Sequence, residues 1–466
     1  MEYSDSTQTL KRPLFPGEWK IFNSYACRVR SLVIDNWNLN KIDDRVVKTL
    51  VSAPSSTLLP NLHHLQWWDD QDSYLPLLQA LLVPTLRSIT LDSNQSEPWG
   101  SSFAQSALLV SLGARCPHIQ KFVCPYSSDF DEHSESLCET ICCWSELIQL
   151  NTGVLSTRAL AHLASLPSLK SLHFESCDFF SGMCPNSLPT FAFELDGTSI
   201  GAPSFPILAH CLRNVRFISC RSAVLRLHDL DLVLSDPLDI PDFFVSISEC
   251  FSSTLEQLSV ECAGLTTERL VDPSFAMSFH AVTPLLSFSY LKKLDLSCFC
   301  ASAINDTMIK TMAQSWPLLE EFRIGDNACW LIPPSLTFTG LVHLIRHCQH
   351  LRNIIMPFRA SLTDRNSEPF SGTIPNAKIT DIYVGHSPID AAITAAVACQ
   401  LHVLLPNLRD VNCFDWEDWY DTDPPAEFEC SRVEWERVEE FLKVLTDAAE
   451  MRQNQEQVLQ EYSWLV

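Results

Sequence analysis

Fourteen segments of this chain share one spacing, in which an apolar residue is followed three positions later by a second and, except in the copy at Leu147, five positions later by a third. The clearest copies are Val29-Leu32-Ile34, Leu62-Leu65-Trp67, Leu86-Ile89-Leu91, Leu169-Leu172-Phe174, Leu255-Leu258-Val260, Leu291-Leu294-Leu296 and Leu319-Phe322-Ile324. Weaker copies start at Ile119, Leu147, Leu188, Val215, Leu351, Ile379 and Leu408. Alternation with a period of two over so short a run predicts a β-strand with one buried face.

Proline residues mark where these strands begin. Six prolines stand two residues before the first apolar position of a copy: Pro60, Pro84, Pro117, Pro167, Pro317 and Pro406. Proline lacks an amide hydrogen and disfavours helix in the preceding residue, so each one marks a helix-to-strand junction. The preceding segments show helical spacing of apolar residues, for instance 101–114, 156–165, 304–315 and 341–347.

The copies start 19 to 40 residues apart, which falls around the period of a strand plus a helix per repeat, with irregular insertions. One strand and one helix cannot bury their apolar faces alone, so the repeats must stack into a continuous core. We therefore predict an α/β solenoid (horseshoe) with a concave parallel sheet, outer helices and a C-terminal capping helix. Glycine is only 12 of 466 residues and no G-x-G-x-x-G occurs, which disfavours a doubly wound α/β enzyme.

Charge and cysteine usage restrict the partners and the compartment. Lys plus Arg is 32 against 56 Asp plus Glu, a formal charge of −24 that repels phosphate backbones and argues against nucleic-acid binding. Residues 1–12 are polar and no run of eighteen apolar residues occurs, so we expect no membrane association and a cytoplasmic or nuclear location. We expect the 19 cysteines to be reduced structural thiols, as at Cys116 and Cys348 after predicted helices, and at Cys177, Cys262 and Cys298 after predicted strands.

No motif for catalysis or for a cofactor stands out. His343, His347, Cys348 and His350 are the nearest approach to a metal site, but the chain has no C-x-x-C pair for zinc. Neither G-x-S-x-G nor H-E-x-x-H occurs. We predict a non-enzymatic protein without metal or cofactor; the alternative is an enzyme with its site in an insertion such as 221–249.

The outward-facing strand residues are the predicted site of protein recognition. They form a broad surface of mixed charge, which suits a protein partner. The candidates are His64, Gln66, His173, Lys293, Asp295, Glu321, Arg323, Asp381 and Tyr383, together with Ser88, Thr90, Ser171, Gln257 and Ser259. A second candidate is the aromatic triplet of an acidic loop, Trp416, Trp419 and Tyr420; the alternative for that loop is a solvated connection between repeats.

These features predict four segments: a lead-in over 1–27, the solenoid over 28–414, the acidic aromatic loop over 415–430 and a helix over 431–466. Ser431 and Glu434 match a capping box at the start of that helix. Its apolar residues Val438, Leu442 and Leu445 lie on one side, which suits a cap on the last repeat. Docking of a partner is the alternative for this helix.

The segment before the first strand carries a family resemblance. Leu14, Pro16, Trp19, Phe22, Tyr25-Ala26 and Arg28 to Leu32 resemble the stretch after the F-box in fungal, mushroom-type F-box proteins with leucine-rich-like repeats. The resemblance implies substrate recruitment to an SCF-type ubiquitin ligase. The 28 residues before the first strand contain no recognisable F-box, so binding to a Skp-type adaptor and cullin would require an F-box from a longer gene product.

We therefore predict non-catalytic recognition of an unidentified protein target, as the substrate-recognition subunit of an SCF-type ligase or a derivative without the F-box. The alternative is a leucine-rich-repeat scaffold or inhibitor that works independently of the ligase.

Overall fold

The computed structural model describes residues 10–35, 39, 42–54, 57–69, 71–92, 99, 102–125, 132–176, 188–228, 239–262, 276–325, 332–366, 368–413 and 426–463. The chain forms two compact units. Unit 1 contains Met1–Pro203 with His210–Cys220, and unit 2 contains Ser204–Ala209 with Arg221–Val466.

Unit 1 alternates strands and helices along the chain. Its main sheet contains β1 (Ser31–Asp35), β2 (His64–Trp68), β3 (Ser88–Leu91), β4 (Lys121–Cys124), β5 (Gln149–Val154), β6 (Ser171–Glu175) and β8 (Gly197–Ala202), while β7 (Thr190–Leu195) and β9 (Arg216–Cys220) form a separate pair. Its helices are α1 (Pro16–Ala26), α2 (Asp44–Val51), α3 (Leu75–Leu81), α4 (Phe103–Arg115), α5 (Glu132–Ile141) and α6 (Thr157–Ala164). Helix α7 (Phe205–Arg213) contributes residues to both units.

Unit 2 repeats the same alternation. Its strands are β10 (Ser222–Leu227), β11 (Gln257–Cys262), β12 (Lys293–Leu296), β13 (Glu321–Ile324), β14 (Asn353–Ile355), β15 (Asp381–Gly385) and β16 (Asp410–Cys413). Its helices are α8 (Asp239–Cys250), α9 (Phe279–Val282), α10 (Asp306–Ser315), α11 (Phe338–His347), α12 (Thr394–Leu404) and α13 (Ala426–Ser463). Short 3-10 turns occupy Asp72–Tyr74 in unit 1 and Thr283–Ser287 and Phe370–Gly372 in unit 2.

Neighbouring strands within each unit are parallel, and equivalent apolar residues are partners across them. Leu65 lies beside Ile89 in unit 1, and Leu258 lies beside Leu294 in unit 2; all four side chains are fully buried. Burying a side chain of this size contributes about 1.5–3 kcal/mol, so the stacked apolar positions supply the core. The predicted leucine-rich-repeat-like α/β class, with parallel sheets and a helix between most strands, is confirmed.

Side chains at the helix ends satisfy backbone groups, either of the same helix or of a neighbouring repeat. Asn305 caps α10 by accepting hydrogen bonds from the backbone N–H groups of Thr307 and Met308, both at 3.1 Å. At the other end of a helix, the buried Cys116 thiol donates to the carbonyl of Val83, at 3.4 Å, in the preceding repeat. The Cys116 thiol thus satisfies a backbone group of the neighbouring repeat.

The cysteines that the structure describes are free thiols, with Cys116, Cys298 and Cys348 buried. Burial raises the pKa of Cys116 and of Cys348 to about 12. Cys262 and Cys298 lie at the ends of adjacent repeat strands with their sulfur atoms 3.0 Å apart. Cys177 lies outside the described residues.

Two of the weaker copies do not contribute to the main sheet. The copies that start at Leu188 and Val215 form β7 and β9, which pair only with each other among the described strands. In unit 1, β8 takes the place beside β6, with Leu172 as the partner of Thr198. The prediction that the Leu188 and Val215 copies are ordinary repeat strands is therefore wrong.

The segment 221–249, considered above as an insertion, contains strand β10 and most of helix α8 in its described part.

The C-terminal helix starts at Ala426, so the capping box predicted at Ser431 is wrong. Pro424 and Pro425 precede Ala426 in the sequence, and the helix follows directly after them. Ser431 lies within the helix, where its hydroxyl donates to the carbonyl of Glu427 at 2.9 Å. Glu434 instead accepts a hydrogen bond from the Thr394 hydroxyl of α12 at 2.8 Å.

In the part of the chain that the structure describes, no helix has both the length and the apolar character needed to cross a bilayer.

Candidate partner-binding surface

The strand residues that alternate with the buried ones form a polar face on each sheet. In unit 1 this face presents His64 and Gln66, both exposed, and His173, half-buried. In unit 2 it presents the remaining predicted residues, of which Asp381 is exposed and the others are half-buried: Lys293, Asp295, Glu321, Arg323 and Tyr383. These nine strand residues thus lie on the polar sheet faces; the loop residues Trp416, Trp419 and Tyr420 lie outside the described residues.

Four of the predicted residues of unit 2 form a connected group, here called the charged cluster: Lys293, Asp295, Glu321 and Arg323. Lys293 Nζ lies 3.2 Å from Glu321 Oε2, and Arg323 Nε lies 2.6 Å from Glu321 Oε1. Arg323 Nη1 lies 3.9 Å from Asp295 Oδ2. The two cations and two carboxylates therefore neutralise one another on the sheet.

The strand register places these charges together. Lys293 is the partner of Glu321 across β12 and β13, and Asp295 is the partner of Arg323 one step further along. Asp295 is also held from its own turn, because its Oδ1 accepts hydrogen bonds from the backbone N–H of Ser297 at 3.2 Å and from the Ser297 hydroxyl at 2.7 Å.

Each pair of the cluster is partly solvated, with side-chain exposures of 13–33%, so it contributes no more than about 1 kcal/mol to folding. Its main effect is to fix the direction in which these side chains point.

The polar face extends on both sides of the cluster within unit 2. On one side, Arg226 Nε donates to Glu261 Oε2 at 2.9 Å across β10 and β11. On the other, Ile355 of β14 is the register partner of Tyr383, which adds aromatic and aliphatic surface beside the charges. A surface that combines fixed charges with an aromatic side chain is typical of protein interfaces.

Unit 1 has a groove over strands β1 to β5, here called the unit 1 groove, with a volume of about 640 Å³. Its lining residues are Ser31, His63, His64, Gln66, Arg87, Ser88, Gln120, Lys121, Ile148 and Gln149. The sequence prediction included His64, Gln66 and Ser88 but missed the others.

The missed residues follow from the same repeat pattern. Lys121 and Gln149 occupy the third position of the weaker copies that start at Ile119 and Leu147, so reading every copy at this position would have found both. Arg87 directly precedes β3. Its carbonyl accepts hydrogen bonds from the N–H groups of both Gln120 and Lys121, which fixes its position at the strand entrance.

The histidines and cysteine considered for a metal site do not converge. His343 and His347 stack with ring centroids 6.4 Å apart, and burial lowers the pKa of His343. Cys348 instead donates its thiol to the carbonyls of Ala313 and Trp316, at 3.6 and 3.5 Å. Among the residues that the structure describes, no three His, Cys, Asp or Glu side chains come together in a group able to hold a metal ion.

Comparison with known proteins gives structural neighbours of low similarity. No protein-family model matches the chain, and no curated protein sequence matches it. One similar solved structure is a chain from the crystal structure of the Rad7 and Elc1 complex in yeast, with 11% identity, 88% of this chain and 86% of that chain covered, and a TM-score of 0.37. Another is the leucine-rich repeat-containing protein LegL7 from Legionella pneumophila, with 17% identity, 72% and 96% coverage, and a TM-score of 0.33.

Proposed function

We propose that this chain is a non-catalytic protein-recognition module that binds a protein partner on the polar sheet faces. The observation that carries the proposal is the charged cluster of unit 2, in which Lys293, Glu321 and Arg323 are held together by register. Because these side chains are already paired before a partner arrives, less rotamer freedom is lost on binding than for isolated lysine or arginine side chains.

Three of the described thiols are unsuited to act as nucleophiles. A nucleophilic cysteine needs a lowered pKa, produced by nearby positive charge or a helix N-terminus. Burial has the opposite effect here, since it raises the pKa of Cys116, Cys348 and Cys413 to about 12. These thiols suit packing between repeats.

The finer proposal is that the partner is a substrate of an SCF-type ubiquitin ligase. The resemblance at residues 14–32 supports it, and so does the surface of α1. Trp19 is buried on the inner side of this helix, whereas Ile21 and Tyr25 are 62% and 64% exposed. Such an apolar outer face suits packing against a further domain. A ligase-independent scaffold or inhibitor is the second candidate, since the charged cluster can serve a protein partner without a ligase.

The experiment is affinity purification of the tagged chain from a fungal lysate, with partners quantified by mass spectrometry. We expect Lys293→Glu to reduce the recovered target at least about tenfold, a loss of about 1.4 kcal/mol, because it breaks the pair with Glu321 and repels an acidic contact. Co-recovery of a Skp-type adaptor and cullin favours the ligase proposal, and their absence favours the scaffold.

Two matched variants sharpen the comparison. Lys310→Glu makes the same substitution at an exposed position of helix α10 in the same unit and is expected to leave recovery unchanged. Lys293→Glu combined with Glu321→Lys restores an ion pair with its charges exchanged. It therefore tests whether the partner distinguishes which of the two positions carries the positive charge. Equal recovery by all four proteins, each verified as folded by circular dichroism, would refute recognition at the charged cluster.

A further inference from the structure

The unit 1 groove differs in charge from the rest of this acidic chain. None of the residues that line the groove is an aspartate or a glutamate. Arg87 and Lys121 are both exposed and both line the groove. A basic groove on a chain of net charge −24 attracts acidic segments and is not explained by the overall composition.

The cations of the groove are also less neutralised than those of the charged cluster. In unit 2, Lys293 and Arg323 each contact Glu321 directly. Beside the unit 1 groove, Glu146 accepts a hydrogen bond from His118 at 2.8 Å, and this bond is the main cause of its lowered pKa, with Arg87 adding only a weaker attraction. Positive charge therefore remains available to a ligand in the groove.

The dimensions of the groove suit an extended peptide. Neighbouring strands lie about 4.8 Å apart, so the distance from β1 to β5 is about 19 Å. An extended chain rises about 3.3 Å per residue, which gives about six residues across the groove. The amides of Gln66, Gln120 and Gln149 can donate to and accept from a peptide backbone. Ile148 is 41% exposed and offers one apolar contact.

We propose that the unit 1 groove binds an extended acidic segment of the protein partner, with Arg87 and Lys121 contacting its carboxylates and Ile148 contacting an apolar side chain. This inference deepens the proposed function and rests on it. It adds the chemistry of the recognised segment, whereas the charged cluster in unit 2 is tested separately.

The test is fluorescence anisotropy of the full chain with a labelled ten-residue peptide of glutamates around a central leucine. A second peptide has glutamine in place of every glutamate, and a labelled single-stranded oligonucleotide of ten thymidines is the third probe. We expect binding of the acidic peptide only, with affinity that falls as NaCl rises from 50 to 500 mM because exposed charges are screened.

Variants locate the binding site. Arg87→Gln combined with Lys121→Gln is expected to weaken binding of the acidic peptide about tenfold, because two exposed charge contacts are removed. Lys170→Gln is the matched control, because Lys170 directly precedes β6 but does not line the groove. It is expected to change affinity less than about threefold.

The proposal is overturned by absence of peptide binding, by equal binding of the glutamine peptide, by tighter binding of the oligonucleotide, or by an equal effect of Lys170→Gln. These results leave the proposed function intact if Lys293→Glu still reduces target recovery at least about tenfold. Conversely, the acidic peptide could bind while Lys293→Glu leaves target recovery unchanged. That result would overturn only recognition at the charged cluster.

Discussion

Trp435→Ala is expected to lower the free energy of unfolding of unit 2 by about 3–5 kcal/mol, the range for removing a large buried aromatic side chain. Trp435 of α13 is 1% exposed, and its indole N–H donates to the carbonyl of Ser387 at 2.8 Å. Its ring meets that of Phe358 edge-on, with centroids 5.7 Å apart. The substitution leaves both a cavity and an unpaired buried carbonyl.

The matched control on the same helix is Val444→Ala. Val444 is 66% exposed, so its truncation is expected to change the free energy of unfolding by less than about 0.5 kcal/mol. Urea denaturation followed by circular dichroism measures both. A loss below about 1 kcal/mol for Trp435→Ala would show that α13 does not cover the core of the last repeats.

Alkaline pH is expected to destabilise the fold through thiols whose pKa is raised in the folded chain. The pKa of Cys116, Cys348 and Cys413 is raised by burial from an ordinary value of 9.0 to about 12. Above pH 9 the unfolded chain releases these protons while the folded chain keeps them, so stability falls as pH rises. Three thiols together remove about 4 kcal/mol between pH 8 and pH 10, at about 1.4 kcal/mol each.

Cys348→Ala separates this effect from the titration of other groups. The variant is expected to be less stable at neutral pH, because a cavity replaces the thiol, but to lose about 1.4 kcal/mol less stability between pH 8 and pH 10. Urea denaturation at each pH gives both quantities. An unchanged dependence on pH in the variant would show that the Cys348 thiol does not keep its proton in the folded chain.

Local signals in the sequence were sufficient to predict the repeats. The apolar spacing fixes which strand residues are buried, and Pro117 or Pro317 marks the junction with the preceding helix. The exceptions are the copies at Leu188 and Val215, where the pattern predicts strands but not their partners. Strand β8 contains the small residues Gly197, Gly201 and Ala202, so it lacks the pattern that identified the others. Pairing depends on contacts distant in sequence, which periodicity cannot show.

The polar face was predictable as a set of positions, since outward residues alternate with buried ones. Which of these residues touch was not predictable, because the contact between Lys293 and Glu321 depends on the register of β12 and β13. Arg87 was not predicted as a groove residue because it precedes strand β3, so the alternation of strand residues does not include it. Its exposure follows from the course of the backbone at the strand entrance. The strand register in the structure is therefore needed to tell which outward residues contact one another.

Photo-crosslinking tests the central claim most directly. A benzophenone amino acid replaces either Gln257, exposed on the polar face of β11, or Val245, 37% exposed on helix α8 of the same unit. Recognition on the polar sheet face predicts a covalent adduct with the recovered target from position 257 and none from position 245. An adduct from position 245 alone would contradict the account.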